Sequence, residues 1–168
     1  MLIFQMTYVG APYVYYGDEV GMWGANDPCS RKPMLWSDIV YDNEKVNPDQ
    51  SLKTIEDETK INSDLLEFYK KLIKIRNDNK ILITGKFNTL LTDNERGIYA
   101  YSRENDNIQI IVIINKSKET VTINLPVNHT EYYTDILNSN EFISAEGNKI
   151  ECKIPPMNGR ILFMDHYK

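Results

Sequence analysis

At 168 residues the chain is long enough to bury a sizeable core, but too short for a complete (β/α)8 barrel, which typically takes ~250 residues. Its formal net charge of −5, from 19 Lys and Arg against 24 Asp and Glu, argues against nucleic acid or an anionic membrane as a partner, because both require clustered basic side chains. The longest apolar run, Ile110 to Ile114, is far below the ~20 residues of a membrane span.

The first eight residues read as the end of an amphipathic helix, with Leu2, Ile3, Met6 and Val9 on one side. A helix at the first residue is expected to have lost its start. The segment lacks the basic n-region and cleavage site of a signal peptide. With Cys29 and Cys152 far apart in sequence, two free thiols in a cytoplasmic protein are the expectation. Neither His129 nor His166 has a cysteine or second histidine at ligand spacing, so no metal and no cofactor is expected. Asn115-Lys116-Ser117 and Asn128-His129-Thr130 fit the glycosylation pattern, which carries no meaning without secretion.

Gly10-Ala11-Pro12 is a turn signal. Tyr13 to Tyr16 follows as a short aromatic and β-branched run, expected to be a strand buried on both faces. It empties at Gly17 into a long loop carrying Trp23, Asn26, Asp27, Cys29, Ser30, Arg31 and Lys32. Loops of that length in compact domains are usually functional. Ile39 to Lys60 is strongly polar, and its Glu56-Asp57-Glu58 cluster reads as a solvated surface.

Asn62, Ser63 and Asp64 offer helix caps, with Glu67 three residues beyond Asp64 as in a capping box. The helix expected from Leu65 to about Asn77 places Leu65, Leu66, Tyr69, Leu72 and Ile73 on one face, with Phe68 and Ile75 at its edges. Beyond Ile81 the period changes to two. Strands are expected at 87–91, 98–103, 108–115, 120–125, 132–136, 150–154 and 160–164. In Thr120 to Leu125 the alternation points Val121, Ile123 and Leu125 to a core, and the apolar Ile108 to Ile114 fits a central strand. Turn residues at 93–97, 104–107 and 115–118 join them. Short strands at near-regular spacing predict an antiparallel β-sandwich.

The string G-A-P-Y-V-Y-Y-G-D-E-V-G-M-W-G, followed by D-P-C-S-R-K-P-M-L-W, resembles the region around the eighth barrel strand in the α-amylase family, glycoside hydrolase family 13. The likeness is to its neopullulanase, cyclomaltodextrinase and maltogenic amylase branch. The resemblance implies an α+β architecture, with a (β/α)8 barrel remnant over 1–79 (last strand, loop and helix) and an antiparallel all-β sandwich over 80–168. It also implies a retaining hydrolase of α-glucosidic bonds in starch-type oligosaccharides. Such chemistry needs two carboxyls ~5–5.5 Å apart across the scissile bond. In the family those acids end the fourth, fifth and seventh strands, all upstream of residue 1, so no catalytic residue and no activity is expected of this chain alone.

Asp27 and Arg31 match positions where that branch hydrogen-bonds glucose units, and a carboxylate and guanidinium four residues apart can take paired hydroxyls. They fit equally a salt bridge within the loop. Adjacent Asp18 and Glu19 read as structural parts of the strand end. Tyr15, Tyr16, Trp23 and Trp36 read as core rather than sugar platforms, and Tyr99, Tyr101 and Arg103 give a weaker signal for a binding surface on the sandwich. Expected partners are an α-glucan oligosaccharide and the missing N-terminal barrel segment, with self-association through the exposed remnant. The alternative is a stand-alone carbohydrate-binding or structural β-sandwich module.

Overall fold

The computed structural model describes residues 1–24, 27, 31–47, 49–127 and 132–165. Asn26, Cys29, Ser30, His129, His166 and the Asn128-His129-Thr130 pattern lie outside the described residues. The chain forms two compact units, one of Met1–Pro12 with Leu72–Lys168 and one of Tyr13–Lys71.

The second unit contains a 3₁₀ turn (Asp18–Val20), a hairpin of β1 (Glu44–Val46) and β2 (Leu52–Asp57), and the first half of a helix. Tyr13 to Tyr16 is not the expected buried strand. Tyr13 is 75% exposed, and both Tyr15 and Tyr16 are 44% exposed. A strand is defined by its hydrogen-bonded ladder to a neighbouring strand, and among the described residues no strand pairs with this run. The polar stretch 39–60, by contrast, holds the unpredicted hairpin. Its turn is braced by Asp49, whose carboxylate accepts from the Ser51 N–H (3.0 Å) and hydroxyl (2.6 Å).

In the first unit, α1 spans Leu2–Thr7, and the second half of α2 (Ser63–Asp78) and α3 (Ile81–Thr84) belong to the same unit. Of the three candidate caps on α2, Asn62 is used, its side-chain oxygen accepting from the Leu65 N–H at 3.0 Å. The buried face of α2 is rotated from the expected one. Tyr69, Leu72, Ile75 and Arg76 are buried while Ile73 is 40% exposed, which follows an i, i+3, i+6 path rather than i, i+4, i+8.

The strands β3 (Lys86–Asp93), β4 (Ile98–Glu104), β5 (Ile108–Asn115), β6 (Val121–Pro126), β7 (Tyr132–Asp135), β8 (Glu141–Glu146), β9 (Lys149–Ile154) and β10 (Gly159–Asp165) form one antiparallel sheet. Its order is β3-β4-β5-β10-β7-β8-β9-β6, so the last strand inserts between β5 and β7. The sheet curls until β3 and β6 are neighbours, giving a sandwich close to a closed barrel. Closure leaves few unpaired strand edges. Val121, Ile123 and Leu125 face the interior as their alternation predicts, with Ile111 and Ile113 of β5 and Leu162 of β10. Each such side chain stabilises the fold by about 1.5–3 kcal/mol relative to exposure.

The opposite face of β4 and β5 is also covered, by α1 and α3. Tyr101 and Arg103 are therefore 0% and 1% exposed, and they are no binding surface. Phe4 and Tyr8 of the α1 segment stack at 4.4 Å, and Tyr8 meets Tyr101 edge-on at 5.9 Å. Short helices leave their last carbonyls unpaired, and buried arginines supply the donors. Arg76 donates to the carbonyls of Met6 (2.7 Å), Tyr8 (3.2 Å) and Gly10 (2.5 Å). Arg103 donates to those of Leu82 (2.6 Å) and Gly85 (2.9 Å).

Cys152 is a free thiol in the core of β9, and burial pushes it up to about 12. Its folded value lies above the unfolded ~8.5. The associated stability is therefore present below that pH and is lost as pH rises from there toward 12. In a Cys29→Ser background, Cys152 is expected to resist an aromatic disulfide reagent at pH 8 until denaturant unfolds the domain. Prompt labelling of the native protein would contradict this burial.

Candidate functional site

The loop after Tyr16 is held from its first residue. Gly17 has φ of +93°, a conformation that favours glycine, and a Cβ there would have to displace the Met22 side chain, whose sulfur lies 2.7 Å away. Its carbonyl accepts from Val20 N–H (3.2 Å) and Met22 N–H (2.9 Å), while its N–H donates to Glu19 Oε2 (2.9 Å). Glu19 is thus bound to the turn it occupies, whereas the neighbouring Asp18 is exposed. Burial first, and then the negative charges of Asp18 and Glu19, raise the Tyr69 phenol above its ordinary range.

Farther along, the half-buried Trp23 ring carries two ammonium groups, Lys32 at 4.7 Å and Lys53 at 4.6 Å from its centroid. Lys32 pairs with Glu44 and Lys53 with Asp57, the latter at 2.5 Å. Since Lys32 lies in the loop and Lys53 on β2, the indole and its cations tie loop and hairpin together. The backbone of the loop is fastened as well. The Tyr16 hydroxyl donates to the Lys32 carbonyl (2.9 Å), and the Tyr41 hydroxyl accepts from Trp36 N–H (2.8 Å) and donates to the Met34 carbonyl (3.0 Å). Between loop and hairpin is a cleft of about 220 Å³ walled by Trp23, Lys32, Tyr41, Glu44, Asp57 and Glu58.

Asp27 and Arg31 are brought together, with Arg31 Nη2 at 2.6 Å from Asp27 Oδ1 and both side chains 66% exposed. An ion pair this exposed contributes little stability, so incoming hydroxyls can replace it at small cost. The aromatics expected in a core are not there. Tyr15 and Tyr16 are exposed, Trp36 is 58% exposed, and only Trp23 is shielded, by its lysines. The cluster Glu56-Asp57-Glu58 is exposed, as expected of a solvated surface; Glu58 also pairs with Lys60 at 2.6 Å, and Asp57 and Glu58 wall the cleft. The sequence reading missed that role because it missed the hairpin. Asn47-Pro48-Asp49-Gln50 between two β-prone runs was the available signal. Among the described residues no group of three or more His, Cys, Asp or Glu is placed to hold a metal.

An antiparallel sandwich preceded by a short helix, a glycine-bounded loop and a second helix is the architecture found at the C-terminal end of α-amylase-type enzymes. A solved cyclomaltodextrinase superposes over 96% of this chain and 24% of its own with a TM-score of 0.71 and 30% identity. Residues 1–85 match the model of the α-amylase catalytic domain, and residues 87–161 that of the maltogenic amylase C-terminal domain. The chain belongs to the α-amylase family and matches the C-terminal part of its neopullulanase, cyclomaltodextrinase and maltogenic amylase branch. It is 32% identical to neopullulanase 2 of Thermoactinomyces vulgaris over 96% of this chain and 24% of that protein. With cyclomaltodextrinase of Thermoanaerobacter pseudethanolicus (strain ATCC 33223 / 39E) the identity is 39% over 88% of this chain and 21% of the relative. The chain thus spans about a quarter of the length of these curated relatives.

Proposed function

We propose that this chain is the C-terminal part of a retaining α-glucan hydrolase that cleaves α-glucosidic bonds of starch-type oligosaccharides in the cytoplasm. Residues 1–79 complete its catalytic barrel and 80–168 form its sandwich. The observation that carries the reading is the pair of family matches in sequence order, with relatives named neopullulanase and cyclomaltodextrinase. In this reading Asp27 and Arg31 hold glucose units by charge-assisted hydrogen bonds. The catalytic acids come from an N-terminal barrel segment, so residues 1–168 alone are inactive. The exposed Tyr13, Tyr15, Tyr16 and Trp36 support both docking to that segment and, in its absence, self-association. The free, buried thiol of Cys152 supports a reducing compartment.

The test is a chimera in which residues 1–168 replace the aligned C-terminal stretch of the Thermoactinomyces vulgaris neopullulanase 2. The chimera is expected to hydrolyse maltohexaose and the isolated chain to leave it intact. Asp27→Ala with Arg31→Ala is expected to raise KM roughly tenfold with little change in kcat, the pattern of lost substrate binding. A folded but inert chimera, or dose-dependent turnover by the isolated chain, would overturn the reading.

A further inference from the structure

The aromatic residues that the sandwich does expose lie elsewhere than the sequence pointed. Tyr132 on β7 and Phe142 on β8 are 55% and 68% exposed, with ring centroids 5.3 Å apart in an edge-to-face pair. Both project from the outer surface, because the intervening Tyr133 and Ile143 face the core. The register extends this surface across four strands. Tyr132 stands opposite Ser144, and Glu151 opposite Asn124, with all four side chains exposed. Ser144, Glu151 and Asn124 line one groove together with Glu146 and Lys149. Three strand spacings of ~4.8 Å make the row about 14 Å long.

Among the described residues, Asn124, Ser144, Glu146, Lys149 and Glu151 make no side-chain hydrogen bond or ion pair. An amide, a hydroxyl, carboxylates and an ammonium beside two apolar rings offer donors and acceptors next to a stacking face. The groove carries two carboxylates, Glu146 and Glu151, against one ammonium, Lys149, so it creates no field that would attract a polyanion. Among the described residues the apolar part is the two rings with Ile143 along the groove, far short of the ~1,000 Å² expected of a specific protein interface. A neutral polyhydroxylated ligand suits this surface, since its C–H faces pack on aromatic rings while its hydroxyls exchange hydrogen bonds with the groove.

We propose that the outward face of β7, β8, β9 and β6 is a second, non-catalytic site for a short α-glucan, with Tyr132 and Phe142 as its stacking surface. Ser144, Glu151 and Asn124 are its hydroxyl partners. The choice of α-glucan rests on the function proposed above; the surface itself does not. The site would hold a glucan chain on the sandwich, independently of Asp27 and Arg31.

Titration of the isotopically labelled 168-residue chain with maltoheptaose, followed by amide NMR, tests the proposal, with cellohexaose as the control sugar. Maltoheptaose is expected to shift the Ser144, Glu151 and Asn124 amides. Tyr132→Ala with Phe142→Ala is expected to weaken binding roughly tenfold or more, while Asp27→Ala with Arg31→Ala leaves these shifts unchanged. Both aromatics are exposed, so unaltered core resonances verify that the variant folds. An unchanged titration in the Tyr132/Phe142 variant, or no shift on this face, overturns the site even if the chimera above is active. Equal or tighter binding of cellohexaose overturns the ligand assignment, and an inert chimera beside intact maltoheptaose binding counts against the hydrolase reading alone.

Discussion

Replacing Arg103 by Met is expected to destabilise the sandwich by about 3 kcal/mol, a fall in melting temperature on the order of 10 °C for a domain of this size. The side chain is 1% exposed. Beyond its two short bonds to Leu82 and Gly85 it reaches the carbonyls of Ile83 at 3.3 Å and Thr7 at 3.4 Å. These are the last carbonyls of α3 and α1, which have no partner within their own helices, and a cation there also opposes the helix dipoles favourably. Hydrogen bonds to a charged group contribute about 1.5–3 kcal/mol each. Against them stands the cost of dehydrating the guanidinium. That burial, followed by the charge of Arg76, pushes the Arg103 pKa below its usual range. A buried charge is replaced without loss only when its partners are replaced too, and here the carbonyls stay. Met fills the volume and leaves them unpaired. Arg103→Lys keeps the charge without the planar fork and is expected to fall between the two. Chemical denaturation gives the comparison, and a Met variant as stable as the parent would mean that the carbonyls find other donors.

Arg103 also shows where sequence reading stops. In Ile98-Tyr99-Ala100-Tyr101-Ser102-Arg103 the alternation correctly separates two faces of β4, and from the strand alone the Tyr–Tyr–Arg face is the one to assign to solvent. Only the distant α1 and α3 reverse that assignment. The same distinction explains the rest. Val121, Ile123 and Leu125 were legible because a solvated outer face leaves the period of two intact, and Asn62 as one of three candidate caps because capping is local. Tyr13 to Tyr16 has strand composition, but a strand exists through its neighbours, and no strand among the described residues pairs with it. Strand β8 was missed for the opposite reason. Glu141 to Glu146 exposes Phe142 and only half-buries Ile143 and Ala145, so its pattern is weak although its pairing with β7 and β9 is regular. At the loop, the partnership of Asp27 and Arg31 followed from their spacing. The cations over Trp23 did not, since Lys53 arrives from a hairpin that had not been recognised.

Asn115→Asp, a change of one atom type, is expected to cost about 4 kcal/mol at neutral pH and to reverse the usual dependence of stability on acid. Asn115 is 1% exposed. Its Nδ2 donates toward the carbonyls of Glu119 (2.8 Å), Pro155 (3.0 Å) and Ile154 (3.2 Å), while Oδ1 accepts from the Ser117 N–H (2.9 Å) and hydroxyl (2.8 Å). One amide thus joins the end of β5 to the approach to β6 and the end of β9. Within the Asn115-Lys116-Ser117 pattern, Asn115 and Ser117 are thus bonded to each other. With Asp, one oxygen keeps the Ser117 contacts and the other faces three carbonyl oxygens. Protonated, it can donate to one of them; ionised, it is repelled by all three. The folded-state pKa is therefore raised above the unfolded ~3.9. The variant keeps its stability below that pH and loses it as pH rises through the folded value. Asn115→Ala provides the reference, since it removes the same bonds with no group to titrate and cancels every other carboxylate in the chain. Denaturant midpoints of the two variants should converge or cross near pH 3 and separate by pH 7, with Asp the less stable. A constant difference across that range would show that the carboxylate escapes to solvent, and that the amide is not the tie between these three strands.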